Sequence, residues 1–222
     1  MIKSSWEQTK ESSQYHFDTG IIDLRWDTVI KLGVIKSDWR EEVNKIIKES
    51  DPITWRSRGM PGYGPRRNKI EFDEEELDLD IQGYSRNHII TNINYDLTPK
   101  IKLIEKLFCL EKSFARVHVQ NPGQCWNLHI DKLHNWCPED PSKVSRFMIH
   151  LTPWAQGHFM NYGNAVHSQW EVGEVTTFDW QNVPHSTANA GHTPRATLQL
   201  TGVRTKETHE FLERLRSGPV EI

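Results

Sequence analysis

Residues 114–131 read FARVHVQNPGQCWNLHID, and the alternation within them decides the fold. Ala115, Val117 and Val119 are separated by polar residues, which is the two-residue period of a strand with one buried face. Asn121-Pro122-Gly123 turns the chain, and an extended segment follows as far as the triplet His129-Ile130-Asp131. Further short strand-like runs come at 145–151, 158–162, 174–180 and 195–203, each bounded by Gly, Pro or Asn. Strands this short at this spacing predict a mainly β, α+β architecture, a sandwich or jelly roll with flanking helices.

Outward from that core, the sequence divides into a helical and loop-rich elaboration at 1–113, the jelly-roll core at 114–205 and a closing helix at 206–222. Ile21, Ile22, Leu24 and Trp26 have a strand-like pattern. Asp38 with Glu41 predicts an N-cap for a helix through Val43, Ile46 and Ile47. Thr98-Pro99 opens a second helix, with Ile101, Ile104, Leu107, Phe108 and Leu110 on one stripe, running to about Lys112. A last amphipathic helix from Lys206 to Arg216 carries Phe211, Leu212 and Leu215. Residues 51–69, DPITWRSRGMPGYGPRRNK, form a basic loop in which proline and glycine forbid regular structure. The acidic run EFDEEELDLD at 71–80 follows it, and the pair reads as a solvated excursion or as a lid over a substrate.

With 222 residues the chain is long enough for one domain, and a net charge of −3 gives no overall basic field for coating nucleic acid. Cys109, Cys125 and Cys137 have no C-x-x-C spacing, so they read as buried or semi-buried thiols rather than a disulfide framework or a thiolate metal site. The opening residues lack a leader pattern, and no run approaches the roughly 18 apolar residues of a membrane span, so the expectation is a soluble, cytoplasmic protein. Nine tryptophans at a mean hydropathy of −0.67 are many, and several stand in polar surroundings where groove lining competes with packing.

His129 and Asp131 are two apart, so on an extended segment both side chains leave from one face and can bind one ion. His185, in NVPHSTANAG, follows a turn and precedes a strand that a jelly roll can lay beside the first. Two imidazoles and a carboxylate on one face of an octahedron leave three positions for exogenous ligands, which suits Fe(II), oxygen and a bidentate co-substrate. H-x-D alone is a weak signal. Its weight comes from Arg195-Ala196-Thr197, ten residues after His185, where a guanidinium and a hydroxyl on the same face of a strand match a carboxylate.

HID at 129–131, His185 and Arg195-x-Thr197 resemble the H-x-D…H…R-x-S/T pattern of the Fe(II)/2-oxoglutarate-dependent oxygenase superfamily. Three further features are similar to its aspartyl/asparaginyl β-hydroxylase and cis-proline-hydroxylase-like branch: Met148-Ile149-His150-Leu151, Trp170-x-x-Gly173-x-x-x-x-Phe178-Asp179, and Asn189 ahead of Arg195. The likeness covers residues 114–205. It implies a double-stranded β-helix (cupin-like jelly roll), iron held by His129, Asp131 and His185, and 2-oxoglutarate anchored by Arg195 and Thr197. His150 takes the place of a histidine that lies close to the co-substrate in that branch. Met148 stands where the branch carries an arginine, and Arg146 lies two residues further back on the same alternating face.

The implied reaction consumes O2 and 2-oxoglutarate, releases succinate and carbon dioxide, and hydroxylates an unactivated C–H bond. Trp126, His134, Trp136, Tyr162 and Arg146 are the candidate substrate-pocket residues. The expected substrate is a small molecule, foremost an amino acid, or a peptide or protein side chain. Arg56, Arg58, Arg66 and Arg67 would also suit single-stranded nucleic acid and thus a nucleobase oxygenase, against which the net acidic charge counts. A non-enzymatic cupin-like binding protein is the rival from another class. Oligomeric state is not legible.

Overall fold

The computed structural model describes residues 28–49 and 98–222. The expected strand at 21–26 and both charged stretches at 51–69 and 71–80 lie outside the described residues. Ten strands occur among them: β1 (Val29–Lys36), β2 (Glu111–Gln120), β3 (Cys125–His129), β4 (Val144–His150), β5 (His158–Tyr162), β6 (Ala165–His167), β7 (Glu174–Phe178), β8 (His185–Asn189), β9 (Arg195–Val203) and β10 (Val220–Glu221). Three α-helices accompany them: α1 (Arg40–Glu49), α2 (Pro99–Leu107) and α3 (Lys206–Ser217).

One sheet has the order β10-β1-β7-β4-β9-β2 and the other β3-β8-β5-β6. From β2 to β9 the chain passes back and forth between the two sheets, interrupted only by the β5–β6 hairpin within the smaller one, in the interlocked order of a jelly roll, so the fold is the expected double-stranded β-helix. The segment before residue 113 is more than helix and loop, because β1 pairs with β7 and extends the larger sheet. α1 begins at Arg40, one residue later than an Asp38 cap would place it. α2 stops at Leu107 rather than near Lys112. The cause is β2, which already pairs Glu111 with Val203, and Cys109 and Lys112 take positive φ (47° and 52°) where the helix gives way to the strand.

The larger sheet has two different faces. Val117, Val119, Phe147, Ile149, Leu198 and Leu200 point outward into the principal core, which α2 closes with Ile101, Ile104 and Phe108 and α3 closes with Phe211, Leu212 and Leu215. Phe108 joins these elements, with ring centroids 4.8 Å from Phe147 and 4.9 Å from Phe211. Truncating such a residue costs about 3–5 kcal/mol, so the helices are integral to the sheet rather than ornaments on it. The intervening residues Arg116, His118, Gln120, Arg146, Met148, His150, Thr197 and Gln199 point toward the smaller sheet. Gly173, with φ 83°, ties strands of the larger sheet together at one end: its amide donates to His150 O at 2.7 Å and its carbonyl accepts from Ile35 N at 2.9 Å. A Cβ there would fall 1.8 Å from Ile35 O, so only glycine fits.

No helix among the described residues is long and apolar enough to cross a membrane. The three cysteines are free thiols, and Cys109 is exposed rather than semi-buried.

Candidate metal centre

β3 ends at His129 and β8 begins at His185, and these two residues are direct partners in the register. Pairing of the strands therefore brings the imidazoles together, with ring centroids 4.2 Å apart. Asp131 follows two residues later with its carboxylate between them: Oδ1 is 3.7 Å from His129 Nε2 and Oδ2 is 3.6 Å from His185 Nε2. All three donors lie within 4.8 Å of one another, as the sequence predicts. An ion with bonds of roughly 2.1 Å places neighbouring donors about 3 Å apart, so each imidazole–carboxylate separation needs to shorten by less than about 1 Å to share a metal.

Neighbouring groups orient the ligands. Arg146 pairs with Asp131 Oδ1, while Oδ2 is buried with no hydrogen-bond partner and remains available to an ion. His185 Nδ1 lies 3.3 Å from Val183 O, which aims Nε2 at Asp131. Burial works to raise the Asp131 carboxyl, but Arg146, His185 and His129 together outweigh it and hold the group below its ordinary value. Burial, then His129, pushes His185 down to about 3. Both imidazole and carboxylate are thus in the ligand-competent state at neutral pH.

Beside the triad lies a cavity of about 180 Å³. Trp126, Tyr162 and Arg146 line it, as expected, together with Arg116, His118 and Gln199, which the sequence reading passed over. His134 and Trp136 do not line it, contrary to expectation. They form a 3-10 turn at His134–Trp136, and Trp136 packs instead on the apolar cluster of Leu133, Tyr162 and Phe178.

Arg195, Thr197 and His150 lie beyond the wall of this cavity. Arg195 is only 2% exposed, and its guanidinium donates to Phe159 O at 3.1 Å and also to Gln120 Oε1 and Thr187 Oγ1. Thr187 is itself part of the wall, so one side chain separates Arg195 from the cavity. Arg195 forms no ion pair among the described residues. Burial pulls it down to about 9, and it stays charged at neutral pH with only neutral acceptors around it. Thr197 Oγ1 is buried without a hydrogen-bond partner, and His150 is wholly buried against Trp170.

The buried histidines make stability pH-dependent. His185, and likewise His118 and His150, which burial above all pushes well down, take up a proton on unfolding at any pH below their ordinary 6.5 and above their folded values. The unfolded state binds more protons in that window, so stability there rises with pH. The urea midpoint of the metal-free protein is expected to fall steadily as pH drops below 6.5, with Asp131 adding to the loss below its ordinary 3.8. A midpoint that stays level down to pH 4 would contradict this account of the site.

No protein-family model and no curated protein matches the sequence. Solved structures that it resembles include cupin proteins and a hydroxylase. A Pseudomonas putida prolyl-4-hydroxylase is 17% identical, over 61% of this chain and 85% of that one, at a TM-score of 0.42. A cupin 2 conserved barrel domain protein from Salinispora arenicola is 12% identical, over 47% and 74%, at 0.30. A predicted oxalate decarboxylase from Thermotoga maritima is 13% identical, over 52% and 80%, at 0.34. These likenesses concern the barrel alone.

Proposed function

We propose that the chain is an Fe(II)- and 2-oxoglutarate-dependent oxygenase that hydroxylates an amino acid or a peptide side chain. The observation that carries this reading is the donor set: two imidazoles and one carboxylate grouped on the wall of a cavity, with the rest of the cavity left to exogenous ligands. A metal held there would supply oxygen activation coupled to conversion of 2-oxoglutarate into succinate and carbon dioxide. The chain supplies position and exclusion of water. His129, Asp131 and His185 hold the ion, and Arg146 fixes the carboxylate so that one oxygen stays free. Met148, Met160 and Phe178 give the cavity apolar walls. Arg195 and Thr197 offer a buried cation without an acid and a hydroxyl without a partner, the complement of a carboxylate. Reaching them requires Thr187 and Gln120 to release the guanidinium and turn toward the incoming group.

That last requirement favours a second reading, a cupin-type metal protein that takes no 2-oxoglutarate, because Arg195 already has neutral acceptors behind the cavity wall. Succinate formation separates the two. Purified protein with Fe(II), ascorbate, oxygen and 2-oxoglutarate is expected to release succinate slowly alone and faster with a substrate amino acid or peptide. Neither binding nor turnover of 2-oxoglutarate by folded, iron-loaded protein would leave the second reading standing.

A further inference from the structure

A second group of metal-type donors lies away from the triad. His150 ends β4, His167 ends β6 and Glu174 begins β7. His150 is four residues along β4 from Arg146, roughly 13 Å at the rise of a strand, so the two groups are separate. We propose that His150, His167 and Glu174 form a second cation site that takes a zinc-class divalent ion.

Their donor atoms all lie within 4.8 Å of one another. Burial works to raise the Glu174 carboxyl, but His167, whose Nε2 is 3.1 Å from Oε1, and Lys31 outweigh it, so an ion here would replace the contact with His167. His150 is 0% exposed, and neither of its ring nitrogens has a partner. A buried polar group left so is destabilising, and a metal bond to the ring offsets that cost. Trp170 stacks on His150 at 4.1 Å and 12° and lies 5.7 Å from the ring of His167, fixing both imidazoles. Burial, more than neighbouring charge, keeps His150 neutral and thus able to coordinate. Two imidazoles and one carboxylate are a zinc-type donor set with a fourth position open.

Charge sets the expected strength. Glu174 is the acid of the group, and Lys31 Nζ holds its Oε2 at 2.6 Å while Oε1 faces His167. Lys31 is half exposed and can swing into solvent, but it competes with a cation for the carboxylate. Arg195 adds repulsion toward His150. Affinity should therefore be moderate, and removing the lysine should raise it.

The test uses full-length protein carrying His129→Ala and His185→Ala, so that the triad cannot hold the ion, with zinc alone as probe in calorimetry and Co(II) as a spectroscopic one. Expected are one zinc per chain and the intense visible absorption of four-coordinate Co(II). Adding His167→Ala should weaken zinc binding by more than about tenfold, since even outer-sphere changes cost that much. Adding Lys31→Ala should tighten it severalfold, a gain that no folding defect mimics. Absence of zinc binding in the folded background overturns the site, as does affinity unchanged by His167→Ala. A Lys31→Ala protein that binds no tighter removes Glu174 as a ligand and the site with it. None of these readings depends on whether the triad turns over 2-oxoglutarate.

Discussion

His185→Ala is expected to weaken Fe(II) binding at the triad by more than about 100-fold, beyond the loss produced by altering a ligand's neighbours, and to reduce succinate formation to that of metal-free protein. The residue opens β8 opposite His129, and its removal leaves one imidazole and one carboxylate for the ion. Asp131 keeps Arg146 and His129 beside it, but two protein donors are too few to hold the ion tightly. His185→Ala is a cleaner test than Asp131→Ala. The latter removes the carboxylate that pairs with buried Arg146, and breaking a buried ion pair costs about 3–5 kcal/mol. Iron measured after anaerobic loading, with circular dichroism to establish folding, decides the matter. Stoichiometric iron in folded His185→Ala would remove His185 from the ligand set.

Arg195→Met is expected to leave iron binding intact while weakening 2-oxoglutarate by about 3 kcal/mol, within the range for truncating one partner of a buried charge pair. The corresponding loss of affinity is roughly a hundredfold. Methionine keeps much of the volume and removes the charge. The comparison must be made on stability increments, because Phe159 O, Gln120 Oε1 and Thr187 Oγ1 lose a donor in the variant whether or not ligand is present. Co-substrate at 100 times its Kd should stabilise the wild type by about 2.7 kcal/mol, and the same concentration should stabilise Arg195→Met hardly at all. An equal increment in both proteins would move the carboxylate anchor to Arg146 or Arg116, the arginines that line the cavity.

Much of this was legible in the sequence because it rests on local periodicity. The alternation in 114–120 gave β2, the boundaries of β5 and β9 were readable to the residue, and the two-residue spacing of His129 and Asp131 placed both on one face. The second face of each strand was the harder part. Arg116, His118 and Gln199 are polar and alternate with core residues, a pattern shared by solvent-facing positions, and only closure of the barrel turns them into a cavity wall. The grouping of His150, His167 and Glu174 has the same origin, since no spacing along the chain links the ends of β4 and β6 with the start of β7. His134 and Trp136 failed in the opposite sense. Nearness to the metal ligands in sequence suggested a pocket role, but a 3-10 turn carries them away from it.

The direct pairing of His129 with His185 also makes metal content a reporter of strand alignment. Strand side chains alternate between faces, so a slip of β8 by one residue against β3 would send His185 to the outer surface and put Ser186 in its place. Such a slip would scarcely change the far-ultraviolet spectrum, yet it would empty the triad. An ion that binds only the aligned pairing stabilises it against slipped alternatives, so a metal held by the triad would also pin the smaller sheet.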